Sequence, residues 1–148
     1  MPTPMSVPSV SIYWNQEKRQ FLVQRLAAIR TGPFTGAAGE FGSPIVLESE
    51  EFDSRIASAV LQALAEFEKH EYDSKRAARH TDEQRLDFVR AHLLVNVTRI
   101  PTGEIRVRAC ERRGGSYGGV PDGEMTLDPN SVSEELPRVL HEAFRKAM

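Results

Sequence analysis

The chain has 148 residues, 40% of them hydrophobic and 27% charged, which suits one soluble globular domain with enough length for a core. Its 19 Lys and Arg face 21 Asp and Glu, and the resulting net charge of −2 argues against a dedicated nucleic-acid binder, which would be basic overall. The single cysteine, Cys110, excludes an internal disulfide and fits a reducing compartment, so the expected location is the cytoplasm.

Residues 1–8 hold three prolines and lack the basic-then-apolar pattern of a signal peptide; they read as a flexible arm. No stretch of the sequence approaches the length of a membrane span. Val10, Ile12 and Trp14 alternate with Ser9, Ser11 and Tyr13, the period of a half-buried strand. After a polar break at residues 15–18, apolar character returns over 19–29, which predicts a hairpin. Residues 31–44 carry Gly32, Gly36, Gly39 and Gly42 with Pro33 and Pro44, and read as a long Gly-rich loop. They lack the Gly-Lys-Ser/Thr of a phosphate-binding loop. A short strand is expected at 45–47, and Ser49 is placed to cap the helix that follows. Glu50 and Glu51 suit the positive end of that helix, and Phe52, Ile56, Val60, Leu64 and Phe67 form its apolar stripe.

Residues 68–80 are highly charged. Thr81-Asp82-Glu83-Gln84 is a capping box, opening a second helix to about His92 with Leu86, Val89 and Leu93 inward. Leu93, Val95 and Val97 then alternate with Leu94, Asn96 and Thr98. A turn at 101–104 separates them from Ile105, Val107 and Ala109, which alternate with Arg106, Arg108 and Cys110. The glycines of 114–119 read as a flexible tip or crossing loop, and 125–127 as a last short strand. Ser133 is placed to cap a C-terminal helix whose stripe is Leu136, Val139, Leu140, Ala143, Phe144 and Ala147, with Pro137 in its first turn. Strands joined by short turns pair antiparallel, and amphipathic helices need a sheet face. The predicted class is α+β: one domain over 1–148, a mainly antiparallel sheet with helices packed on it.

The chemistry-bearing residues are sparse. His70, His80, His92 and His141 have no metal-site spacing. Cys110 shares a strand face with Arg106 and Arg108, which could lower a thiol pKa, but no local signature marks it as a nucleophile. The chain is expected not to be an enzyme, and no catalytic residue, metal or cofactor is assigned. Arg99, Arg106, Arg108, Arg112 and Arg113 crowd the hairpin 99–113, beside a glycine-rich segment with Tyr117. Such a set could grip RNA, or form a solvated sheet face. Among the carboxylates, helix capping does not explain Glu48, Asp122 or Glu124. Together with Glu51 and Asp53 they are candidates for meeting a basic partner.

One motif occurs twice. Ser49-Glu50-Glu51-Phe52 matches Ser133-Glu134-Glu135-Leu136, each after a β-prone stretch, and Ile56, Ala59 and Val60 then match Leu140, Ala143 and Phe144. The doubled strand–Ser-Glu-Glu–helix unit is joined by an Arg-rich hairpin ending in Gly-Gly-x-x-Gly-Gly. This pattern resembles the immunity proteins of bacterial contact-dependent growth inhibition systems, over residues 44–64, 105–119 and 127–144. The resemblance implies a non-enzymatic cytoplasmic inhibitor that binds the C-terminal toxin domain delivered by a neighbouring cell, commonly a nuclease. Under that reading the toxin-facing residues are Glu48, Glu51, Asp53, Asp122 and Glu124. The second surface to consider is Arg106, Arg108, Arg112, Arg113 and Tyr117. The alternative is a small RNA-binding module built on hairpin 99–113.

Overall fold

A computed structural model describes residues 7–28, 38–40, 42–67, 81–114 and 116–148. The expected arm, most of the Gly-rich loop, the charged segment 68–80 with His70 and His80, and Gly115 lie outside the described residues. In chain order the elements are β1 (Ser9–Asn15), β2 (Gln20–Ala28), β3 (Ala38–Glu40), β4 (Ile45–Glu48), a 3-10 turn (Ser49–Glu51), α1 (Phe52–Phe67) and α2 (Asp82–Ala91). There follow β5 (His92–Arg99), β6 (Ile105–Arg113), β7 (Ser116–Leu127) and α3 (Val132–Ala147).

The strands make one seven-stranded sheet in the order β3–β2–β1–β5–β6–β7, with β4 also alongside β2, and every pairing is antiparallel. The α+β expectation is met. The first hairpin turns because Asn15 Oδ1 accepts the Lys18 N–H at 3.0 Å and Arg19 takes the left-handed conformation, φ 54°. The second turns at 101–104, where the Gly103 N–H donates to the Ile100 carbonyl.

Period-two alternation puts Val10, Ile12, Val23, Val95, Val97, Ile105, Val107 and Ala109 on one sheet face. There α1 and α3 lie side by side and close the main core with Phe52, Ile56, Val60, Leu64, Leu136, Val139, Leu140 and Phe144. The two halves of the doubled motif thus become β4–α1 and β7–α3, on opposite edges of the sheet with their helices adjacent. Phe21 joins them: its ring centroid is 4.0 Å from Phe52 and 5.5 Å from Phe144, with the Trp14 ring tilted against it at 4.3 Å.

The other sheet face is not simply a solvated one. Tyr13, Leu94 and Cys110 are buried there, and Phe88 of α2 packs on them with Leu22 and Tyr117. This revises the inward face expected for α2. Val89 is buried and Leu86 half-buried, but Leu93 has already entered β5 and points into the main core.

Four further details differ from expectation. First, β3 lies within the stretch read as loop, where it pairs with residues 26–28 of β2. Second, β7 runs for 12 residues through the glycines read as a tip. There Gly118 and Gly119 lie under the guanidinium groups of Arg113 and Arg108, which a Cβ would push aside. Third, neither serine of the repeat caps with its side chain. Ser49 opens the 3-10 turn and its N–H donates to the Arg19 carbonyl, 3.1 Å, while α3 starts from Ser131, whose carbonyl accepts from Glu134 and Glu135. Fourth, Pro137 falls in the second turn of α3 rather than the first, so the Ser133 carbonyl lacks its helical donor. The capping box of α2 forms as read: Thr81 Oγ1 accepts the Gln84 N–H and Gln84 Oε1 accepts the Thr81 N–H.

Candidate functional site

The five candidate carboxylates fall into two sets, one at each copy of the doubled motif. Glu48 ends β4 and accepts from Gln20 Nε2 at 2.9 Å. Glu51 pairs with Arg55 one helical turn on, and Asp53 Oδ1 lies 2.8 Å from His141 Nε2, tying α1 to α3. Asp122 and Glu124 belong to β7, the opposite edge of the sheet. Asp122 has φ 59° and its carbonyl accepts from Lys146 Nζ, while Glu124 pairs with Arg106 Nε at 2.9 Å. The two acidic sets therefore lie on opposite edges of the sheet.

The arginine hairpin is largely engaged with itself. Arg106 meets Glu124, and Arg113 meets Glu111 and the Gly119 carbonyl. Arg112 Nε donates to the His92 carbonyl at 3.2 Å, and the Tyr117 hydroxyl donates to that same carbonyl at 3.0 Å. Arg108 is exposed and, among the described residues, has no carboxylate partner. Cys110 sits in the buried cluster behind these residues. Burial pushes its thiol up, outweighing the pull of the Arg108 charge, so it is not a poised thiolate. Among the described residues no group of three or more His, Cys, Asp or Glu could hold a metal ion.

Sequence reasoning missed a cavity of about 670 Å³ beside this hairpin, between the second sheet face and α2. Tyr13 and Phe88 meet edge to face inside it at 4.8 Å, and Tyr117 closes one side, 6.2 Å from Tyr13. Glu40 of β3 stands at its border and accepts the Tyr13 hydroxyl at 2.7 Å. Burial, reinforced by the Glu40 charge, pushes the Tyr13 phenol far up, and burial pushes Tyr117 up to about 12. Both phenols stay protonated at physiological pH. A second cavity, about 600 Å³, opens on the helix side where Trp14, Arg19, His141 and Arg145 converge.

His92 sits at the joint between α2 and β5, beside Phe88 of the first cavity's wall. Its ring stacks on Phe88 at 4.0 Å, its Nδ1–H donates to the Phe88 carbonyl at 2.9 Å, and its Nε2 faces the Asn15 amide at 3.5 Å. Burial lowers its pKa, and Lys18 and Arg112 act in the same direction against the Phe88 carbonyl. The unfolded chain, with His near 6.5, therefore binds the proton more readily than the native state. The contribution of this site to stability is full above about pH 6.5 and falls as pH drops below it, until the native-state value is passed. Thermal melts of the wild type and His92→Gln, compared at pH 7.5 and 5.5, check this. The wild type is expected to lose stability relative to the variant at the lower pH.

No helix among the described residues is long and apolar enough to cross a membrane. No family model matches the chain, and no curated protein matches its sequence. Among solved structures, a protein of unknown function from Neisseria meningitidis, NMB0488, is similar in fold. The TM-score is 0.71 at 13% identity, over 100% of this chain and 99% of that one.

Proposed function

We propose that the protein is a non-enzymatic immunity protein that binds and neutralises the C-terminal toxin domain, a nuclease, of a contact-dependent growth inhibition system. The observation that carries this reading is the doubled strand–Ser-Glu-Glu–helix unit joined by the Arg-rich hairpin, the pattern in which the chain resembles those inhibitors. The two copies rest on one sheet with adjacent helices, and each contributes an acidic rim: Glu48, Glu51 and Asp53 on one edge, Asp122 and Glu124 on the other. A nuclease presents a basic groove for phosphates, and carboxylates aimed at it speed association and select the partner.

The test uses the toxin domain encoded by the gene directly upstream. Co-expression is expected to protect cells, and the purified proteins to form a complex. Reversing Glu48 and Glu124 together to Lys should slow association and reduce protection. Each carboxylate makes one exposed contact, to Gln20 or Arg106, so the change in stability should stay within about 1 kcal/mol. Full protection with an unchanged association rate would move the contact to the Arg106, Arg108, Arg112, Arg113 and Tyr117 surface. Failure to bind that toxin domain would overturn the reading. Retention on RNA at low salt, lost in Arg106→Ala with Arg108→Ala, would replace it by the RNA-binding alternative.

A further inference from the structure

We propose that the cavity between α2 and the second sheet face is a binding site for an organic cation, an ammonium group carrying apolar substituents. The inference rests on the cavity itself and is independent of the immunity reading.

At about 670 Å³ the cavity has the volume of a small-molecule site. Its wall is aromatic: Tyr13, Phe88 and Tyr117 converge from β1, α2 and β7, three elements far apart in the chain. The polar groups decide which guest fits. The Tyr13 hydroxyl proton is directed to Glu40, that of Tyr117 to the His92 carbonyl, and that of Ser116 to the Arg113 carbonyl. The phenols therefore offer a guest lone pairs and π faces, not protons. Gln84 and Arg85 lie on the exposed rim, Gln84 held in the capping box and Arg85 paired with Asp82 at 3.1 Å.

Glu40 remains. One of its oxygens accepts from Tyr13; among the described residues the carboxylate has no cationic partner. Glu40 is exposed at the border, so a neutral apolar guest gains nothing from that charge. An anion would be repelled by it. A cation satisfies the carboxylate and gains from the ring faces, and apolar substituents fill the remaining volume.

The test titrates the full chain with choline and with tetramethylammonium, following the Tyr13 and Tyr117 ring resonances by NMR. The control is 3,3-dimethylbutan-1-ol, which has the shape of choline without its charge. Choline should bind saturably with a Kd on the order of millimolar, as so few heavy atoms allow. The neutral alcohol should bind at least roughly tenfold more weakly, because it forfeits the cation–π and carboxylate attraction. Glu40→Gln should weaken choline by about tenfold or more, since it removes a charge-assisted contact. Phe88→Leu, which keeps apolar bulk on Tyr13, should weaken it while leaving the melting temperature close to wild type. A short peptide carrying trimethyl-lysine separates the sources of the cation. Tighter binding of the peptide than of choline assigns the site to a partner's side chain; the reverse assigns it to a free amine. Equal binding of the neutral alcohol, an unchanged Kd in Glu40→Gln, or no saturable binding by any cation would overturn the proposal.

Discussion

Phe52→Ala will destabilise the protein by about 3–5 kcal/mol, the range for truncating a buried phenylalanine that leaves a cavity behind. Phe52 opens α1, is 1% exposed, and lies between Phe21 and His141, with centroids at 4.0 and 4.8 Å. It sits where the two copies of the doubled motif meet, so the surrounding elements cannot collapse independently into the gap. Urea unfolding followed by Trp14 fluorescence reads the effect directly, because Trp14 is the chain's only tryptophan and its ring lies 4.3 Å from that of Phe21. The midpoint should fall with the slope unchanged. Arg55→Ala, three residues on and exposed, is the control and should cost under about 0.5 kcal/mol. A loss of less than about 1 kcal/mol in Phe52→Ala would contradict the packing described for this joint.

The second large effect is expected from adding atoms. Along β6 and β7 the register runs Arg108 to Glu124 and then Cys110 to Gly119, so Ala109 alone faces residues 120–123. The extra residues of β7 are absorbed by a bulge in which Asp122 is left-handed and Gly123 turns inward and is buried. A Cβ on Gly123 would lie 3.0 Å from the Val120 carbonyl oxygen and 3.1 Å from the Ala109 Cβ, both parts of the sheet itself. Gly123 is not left-handed, so the constraint is space and not backbone conformation. Gly123→Val should cost about 1–3 kcal/mol by overpacking. At Gly119 the obstructing group is the exposed end of Arg108, which can move aside. Gly119→Ala should therefore stay within about 0.5 kcal/mol, an ordinary surface change. Paired thermal melts of the two variants distinguish a backbone obstruction from a movable one.

Much of the fold was legible because it rests on local periodicity. The alternation of Val10, Ile12 and Trp14, the hairpin after Val97, and the stripes of Phe52 and Leu140 each encode a face turned to the core, with Trp14 half-buried at its end. The capping box at Thr81 needed only a spacing of three. What escaped depended on distant chain. Gly118 and Gly119 have the composition of a loop, yet they pair as strand with Glu111 and Cys110 of β6. Tyr13 and Leu94 looked like the outer half of an alternation; Phe88 of α2 makes that half a second core. Glu40, Tyr13, Phe88 and Tyr117 have no sequence relation at all. Of the aromatic cavity, Tyr117 alone drew notice, and for its neighbouring arginines. The two acidic rims were legible as residues but not as places. The repeat marked an acidic set on each copy, but only the strand order shows that the copies enter the sheet from opposite ends.

The pairing of β1 with β5 has a consequence for how the chain is made. Ser9 meets Thr98 across 89 residues, and β1 is the strand that joins the two halves of the sheet. The hairpin β1–β2 can form as soon as it leaves the ribosome, but one flank of β1 stays open until β5 has been synthesised. The largest loop closure is thus required at the centre of the fold rather than at its rim, a topology of slow folders. During that interval Ser11, Tyr13 and Asn15, polar or hydroxyl-bearing residues buried in the finished sheet, interrupt the apolar run of β1. A nascent strand with that pattern is a poorer template for mispairing than an unbroken apolar one.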